Sequence, residues 1–413
     1  MDKRQYDIVL LGATGFTGKF CAEHITTHLP VNLNWAVAGR SSMKLESLVG
    51  ELISLNRDRL QPGIEIATLS NEDLDLLAKT TRIMLNTIGP YHLYSTPVVE
   101  SCARNGTHYL DVTGETAWVL QMIEKYHNLA SANGAIMIPE IGIESAPSDL
   151  LAWSLATYLR MKLSCDTAEV ICTLYEVRSR PSGGTLATIL STLDSYSLRE
   201  IGRASKPWAL SPIPGPRSRS TVSLFTRLFG VRVVHGLGTM TTSIAGSANR
   251  AIVQRSWGLL DKGRYYGPNF QYSEYLSVRN TLIGIAVHFA FAFGSLLLLL
   301  RPIRWLVQRL VYAPGEGRSK IDTKKEAFEF RAIGTAADEA GRPPRRAFAR
   351  FRWDGGAYHL TGVFLAEAAM VILQDSKIVE KTGGGVLTPA ILGQPFIERL
   401  CEAGVEFNTE MAS

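Results

Sequence analysis

Cysteine is scarce and scattered in this chain. Five residues in 413 (Cys21, Cys102, Cys165, Cys172 and Cys401) include no C-x-x-C pair. That excludes a disulfide-stapled scaffold and a cysteine-built zinc site, and it points to reduced, mostly buried thiols in a cytoplasmic protein. A strong charge of either sign is also missing. Forty-three Lys and Arg against 38 Asp and Glu leave a formal +5, enough to favour anionic surfaces or phosphates but short of a nucleic-acid binder's basic stripe, so no nucleic-acid partner is expected. Five of the eight histidines (His92, His108, His235, His288, His359) are isolated, with no metal-ligand spacing, and no metal is expected. Internal repeats are absent. Met1–Tyr6 is polar and runs straight into a strand pattern, so no signal peptide is expected.

What remains is a globular composition, 46% apolar and 20% charged, long enough for two large domains. In the first third, strand-like and helix-like segments alternate. Strands are expected at Asp7–Leu11, Trp35–Ala38, Ile64–Ala67, Ile83–Thr87, His108–Val112 and Ala135–Ile138. Several are continuous apolar runs, the mark of strands buried on both faces. Helical patterns separate them, which predicts an α/β domain over residues 1–145, a Rossmann-type doubly wound parallel sheet. Beyond it, over 146–385, helix Asp149–Met161 with Ser148 as its cap, helix Leu186–Ile201 and β-like patterns at Ala168–Val177 and Ala327–Leu373 suggest an α+β domain with a mostly antiparallel or mixed sheet. A last amphipathic helix is expected at Thr388–Ala403.

Gly12-Ala13-Thr14-Gly15-Phe16-Thr17-Gly18 joins the first strand to the first helix. Gly12 permits the tight turn, Gly15 lets backbone approach a pyrophosphate, and Gly18 allows close helix–strand packing, with the helix N-terminus facing the phosphates. The end of the second strand selects the cofactor. An Asp or Glu there would accept from the ribose 2′-hydroxyl of NAD, but this chain has Arg40, Ser41 and Lys44. A guanidinium and an ammonium suit a 2′-phosphate, so NADPH is expected. Thr87, Gly89 and Pro90 end the fourth strand where the nicotinamide half should lie, and Tyr91 follows, either as the proton donor or as a packed pocket aromatic. Ser145, Tyr158 and Lys162 repeat the spacing of a short-chain dehydrogenase triad, yet the last two close an apolar helix where such residues commonly snorkel.

These residues, with Tyr109–Glu115, Ser145–Leu150, Ser182–Thr185, Pro314–Gly317, Ala366–Ala368 and Gly385–Ala390, resemble the saccharopine dehydrogenase-like oxidoreductases, a family that includes trans-acting enoyl reductases. The likeness runs over nearly the whole chain. It implies an NADP-type Rossmann domain, a second domain supplying the substrate pocket, and a C-terminal helix (386–413) that packs back on the first domain. Departures occur at Glu144, where Asp is usual, at Arg318, where Pro is usual, and at the Gly355–Tyr358 turn. A saccharopine-type substrate would need groups for its carboxylate, for which Arg178 and Arg180 are candidates; the apolar character of the chain fits a greasier substrate.

Asn280–Leu300 carries no charge over 21 residues and is flanked by Arg279, Arg301 and Arg304, with Trp305 and Tyr312 beyond. It is long enough for ~30 Å of hydrocarbon. Three placements are open for 280–312: lying in a membrane or lipid-droplet surface, buried in a core or homodimer interface, or spanning. The expected function is NADPH-dependent reduction of a hydrophobic small-molecule or carrier-bound acyl substrate, an enoyl C=C in lipid or polyketide assembly. Imine or carbonyl reduction of a small metabolite, and a non-catalytic cofactor-binding protein on lipid, are the alternatives.

Overall fold

The computed structural model describes residues 4–179, 190–216, 222–310, 326–337, 344–375 and 377–412. The chain forms two units. One joins the residues up to 143 to 357–403; the other holds the described residues of 144–356 and 404–412.

In the first unit, β1 (Tyr6–Leu11), β2 (Trp35–Gly39), β3 (Gly63–Ile66), β4 (Thr81–Asn86), β5 (His108–Asp111) and β6 (Ile136–Ile138) all appear where the sequence places strands. They run parallel in the order β6-β5-β4-β1-β2-β3, the doubly wound arrangement whose order reverses between β1 and β4. Ile8 to Leu11 and Ile83 to Leu85 are fully buried, so these strands can be apolar without alternation because helices cover both faces. Helix α1 (Phe16–His28) follows β1 and α2 (Ser42–Leu55) follows β2.

In the second unit, β7 (Thr167–Arg178), β8 (Arg232–Val234), β9 (Gly238–Thr242), β10 (Gln271–Ser277), β11 (Ala327–Ala336) and β12 (Arg346–Asp354) form a mixed sheet, ordered β12-β11-β7-β10-β9-β8. Among the described residues only β7 and β10 pair in parallel in this sheet. The Ala146–Leu163 helix carries Ser148 into this unit's interior. Glu274 there accepts from Ser148 Oγ (2.7 Å), Tyr272 OH (2.8 Å) and Asn249 Nδ2 (2.9 Å), and burial raises its pKa. Ser148 is therefore a core partner, and the helix N-cap is Ser145.

The C-terminal third differs from expectation. Ala357–Gln374 is a helix, not part of a β-like run, with Leu360 to Ile372 buried throughout. A segment apolar on every side has no period to read, so helix and strand look alike in sequence. It packs on α1, where a Cβ at Gly362 would meet Cys21 N at 2.7 Å, and it belongs to the first unit rather than to the 146–385 domain. After it, β13 (Gly385–Val386) adds a parallel strand beside β6. The tail contains a 3-10 turn (Pro389–Leu392) and a helix (Gly393–Glu402) within the first unit. It ends as β14 (Glu406–Met411), an edge strand on β12 in the second unit. The helix expected over Leu186–Ile201 is interrupted: Ser197 forms a capping box with Glu200 and starts a separate helix, Leu198–Ala204. Residues 180–189 and 311–325, with Arg180, Ser182–Thr185, Tyr312, Pro314–Gly317 and Arg318, lie outside the described residues.

Candidate active site

The glycine turn is fixed by contacts that tolerate no side chain at two of its positions. Gly12 has φ +83°, and a Cβ there would meet Thr87 Oγ1 and Ile88 Cγ1, each at 2.8 Å. At Gly18 a Cβ would lie 2.4 Å from Gly12 O and 2.8 Å from Ala13 Cα. At Gly15 it would meet only Gly12 O, at 3.2 Å, and the residue is exposed. Backbone is thus packed on the inner side and open on the outer side, the shape a pyrophosphate needs. Thr87 locks the turn, its Oγ1 donating to Leu11 O (3.0 Å) and Gly12 O (3.1 Å). Helix α1 starts at Phe16 with no side-chain cap and no acid in its first turn, so its N-terminal amides and dipole are available to an anion. Ala13 is buried, Thr14 and Thr17 are half-buried with no side-chain hydrogen bond among the described residues, and Phe16 packs edge-on to Tyr358 and Phe20. Gly18→Ala should weaken NADPH binding about fivefold or more, because relieving overlap with backbone costs about 1–3 kcal/mol; cofactor titration together with a melting curve checks it.

Arg40 and Lys44 are exposed at the end of β2 and make no ion pair among the described residues. Ser41 caps α2, its Oγ accepting from Lys44 N. The nearest strand carboxylate, Glu65 opposite Ala38 on β3, is held by Tyr6 OH at 2.8 Å. Two unpartnered cations with no carboxylate at the strand end fit a 2′-phosphate and repel nothing in it.

Beyond β4, the chain passes Gly89 and Pro90 into Tyr91. The Tyr91 hydroxyl is spent inside the protein, donating to Asn86 O at 3.3 Å, and the ring lies against Trp118. Burial, then the neighbouring Asp111, raises its pKa well above that of a free phenol. The loop is pinned by Glu115, which accepts from Tyr91 N (2.9 Å) and His92 N (2.8 Å) and bonds His92 Nδ1 at 2.6 Å. Beneath it Asn86 Nδ2 donates to Ser95 Oγ and Tyr109 OH, and Tyr109 OH donates to Asp111 Oδ2 at 2.7 Å. Asp111 also accepts from Thr113 N and Glu140 N; burial brings its pKa up to about 7. Glu140, fully buried with φ +59°, completes this polar floor at the carboxyl ends of β4, β5 and β6. Sequence spacing did not single out Glu115, His92, Asp111 or Glu140; their signal was only the run of polar residues closing each apolar strand.

The triad spacing has no structural counterpart. Ser145 and Tyr158 lie 13 residues apart on one helix, about 20 Å along its axis, and Lys162 is exposed at its end.

A family model described as the saccharopine dehydrogenase NADP binding domain matches residues 8–138, the span that contains every one of these cofactor groups. A trans-acting enoyl reductase of Mycobacterium bovis is 32% identical over 430 residues, covering 100% of this chain and 99% of the relative. A saccharopine dehydrogenase-like oxidoreductase of Bos taurus is 29% identical, covering 98% and 97%. The fold is similar to that of saccharopine dehydrogenase from Saccharomyces cerevisiae, with a TM-score of 0.56 at 13% identity over 98% of this chain and 99% of that one. The protein is an NADP-dependent oxidoreductase whose cofactor is NADPH. The chain belongs to the saccharopine dehydrogenase-like oxidoreductase family.

Proposed function

We propose that the reaction is reduction of a C=C bond in a hydrophobic acyl substrate, an enoyl thioester on a small carrier or an acyl-carrier partner, within lipid- or polyketide-type assembly. The observation that carries this over an amino-acid substrate is the pairing of the second unit's arginines. Arg178, one of the two candidates for a substrate carboxylate, is ion-paired to Glu176 at 2.5 Å; the other, Arg180, lies outside the described residues. Arg331 and Arg350 sit on Glu329, and Arg352 bonds Glu329, Glu176 and Asp354. Using one of them for a substrate carboxylate breaks an existing ion pair, and three of these guanidiniums converge on Glu329, which is 2% exposed. The trans-acting enoyl reductase name of a full-length relative supports the same reading.

In this reading Gly12–Gly18 hold the pyrophosphate through backbone, Arg40, Ser41 and Lys44 hold the 2′-phosphate, and Thr87, Gly89 and Pro90 wall the nicotinamide. The bound cofactor supplies hydride. The chain's own task is orientation: Glu115 fixes the 91–92 backbone, and Tyr91 acts as a brace for β4 with the substrate's proton drawn from solvent. Tyr91→Phe is therefore expected to keep turnover within roughly threefold of wild type, against the ~10²–10⁴ loss that removal of a general acid causes. The test of the reaction is NADPH consumption with a long-chain 2-enoyl thioester beside an amino acid plus aldehyde pair. Consumption with the thioester alone is expected; consumption with the pair alone replaces the reading with imine reduction.

A further inference from the structure

Two helices of equal length and apolar composition have opposite fates in this fold. In Ala357–Gln374, 72% of the residues are buried; in Thr281–Leu298, 6% are. The second helix is apolar all round, a pattern that belongs in a core or a bilayer, yet Gly284 is its one buried residue. It touches the protein along a narrow stripe. Thr241 Oγ1 donates to Gly284 O at 2.7 Å, and Thr242 Oγ1 and His288 Nδ1 lie 2.8 Å apart, which docks its first half on β9. Leu282 (79% exposed), Phe293 (64%), Leu296 and Leu297 point away.

A second apolar element stands beside it. Leu224–Phe229, started by Ser223 and ended by Gly230 at φ +70°, exposes Leu224 (72%), Phe225 and Leu228. A Cβ on Gly230 would lie 2.3 Å from His288 Nδ1, so the two helices abut. The sequence around them is strongly one-signed. Residues 201–315 hold fourteen Lys and Arg against Asp261 and Glu274, a formal +12, so the rest of the chain carries −7 to reach its overall +5. No carboxylate occurs between Glu274 and Glu316, while Arg279, Arg301, Arg304 and Arg309 bracket the apolar run.

We propose that this unit seats on an anionic lipid surface through Leu224–Phe229 and Thr281–Leu298 together, the apolar side chains entering one leaflet and the exposed Arg279, Arg301 and Arg309 meeting the headgroups. Charge complementarity selects lipid over a second copy of the chain, whose equivalent face would carry the same excess of arginine. Crossing is opposed by the far end of the helix. Arg304, 8% exposed, caps Leu298 O and Leu299 O and pairs with Asp194 at 2.9 Å, so both ends are held by the same folded unit. The proposal does not depend on which bond the enzyme reduces.

Flotation of the full chain with phosphatidylcholine vesicles, with and without about a third phosphatidylserine, tests it. Wild type is expected to float with the mixed vesicles and far less with the neutral ones. Leu224→Asp with Leu228→Asp, and separately Phe293→Asp with Leu296→Asp, should each lower the floated fraction at least tenfold. These are exposed positions, so NADPH affinity should stay within twofold, which reports that the variants are folded. Arg279→Gln with Arg301→Gln should lower only the anionic component. A wild type that floats with neither vesicle overturns the proposal. So does unchanged flotation of the Leu224/Leu228 variant, and so does a lipid-free dimer that the Asp variants split into monomers, since that face would then be covered by a second copy.

Discussion

Arg40→Glu is expected to weaken NADPH binding by roughly 10²-fold or more while leaving NADH binding unchanged or improved. A charge-assisted bond to phosphate contributes about 1.5–3 kcal/mol, and the carboxylate replaces it with repulsion at the same spot. For NADH the same carboxylate can accept from the 2′-hydroxyl, the role an acid plays at this strand end in NAD-binding relatives of the fold. Arg40 is exposed and unpaired among the described residues, so no structural partner is lost and the melting temperature should hardly move. Equal loss for both nucleotides in parallel titrations would mean that Arg40 does not face the 2′-phosphate.

The second large effect concerns pH. Asp111 is fully buried, with its pKa brought up to about 7, against about 3.9 in an unfolded chain. Below pH 4 both states hold the proton and this residue costs nothing. Between pH 4 and 7 the unfolded chain ionises first, so rising pH favours unfolding. Above pH 7 both are ionised, and the accumulated cost is about 4 kcal/mol at 1.36 kcal/mol per pH unit. Asp111→Asn keeps an acceptor for Thr113 N and Glu140 N but cannot ionise. The stability of wild type relative to this variant should therefore fall from pH 5 to pH 8, read as the difference between two series of denaturant midpoints. Parallel series would show that Asp111 titrates as an ordinary carboxylate and that the floor beneath β4 and β5 is not the low-dielectric site described.

The first unit was legible because its signals are local. Each of the six expected strands formed, and Gly12 and Gly18 lie in a turn that has no room for a side chain. What stayed hidden was non-local. Nothing near Ala357 says that this helix rests on α1 through Gly362, nor that the chain returns to add β13 beside β6 and then leaves to add β14 beside β12. Ser148 reads as a helix cap until Glu274, 126 residues later, is seen to take its hydroxyl. Tyr91 fits a proton donor by position alone; its direction toward Asn86 O depends on packing against Trp118. Asp111 and Glu115 stand out in sequence only within the Tyr109–Glu115 stretch that resembles the family, and His92 only as an isolated histidine; their convergence under one loop is a property of the fold.

Selectivity for NADPH requires a 2′-phosphate site at the end of β2, and calorimetric titration of the wild-type protein with NADPH and NADH side by side tests it most directly. The expected result is NADPH bound at least tenfold more tightly, with the preference shrinking as salt screens Arg40 and Lys44. Equal affinities, or tighter binding of NADH, would contradict it.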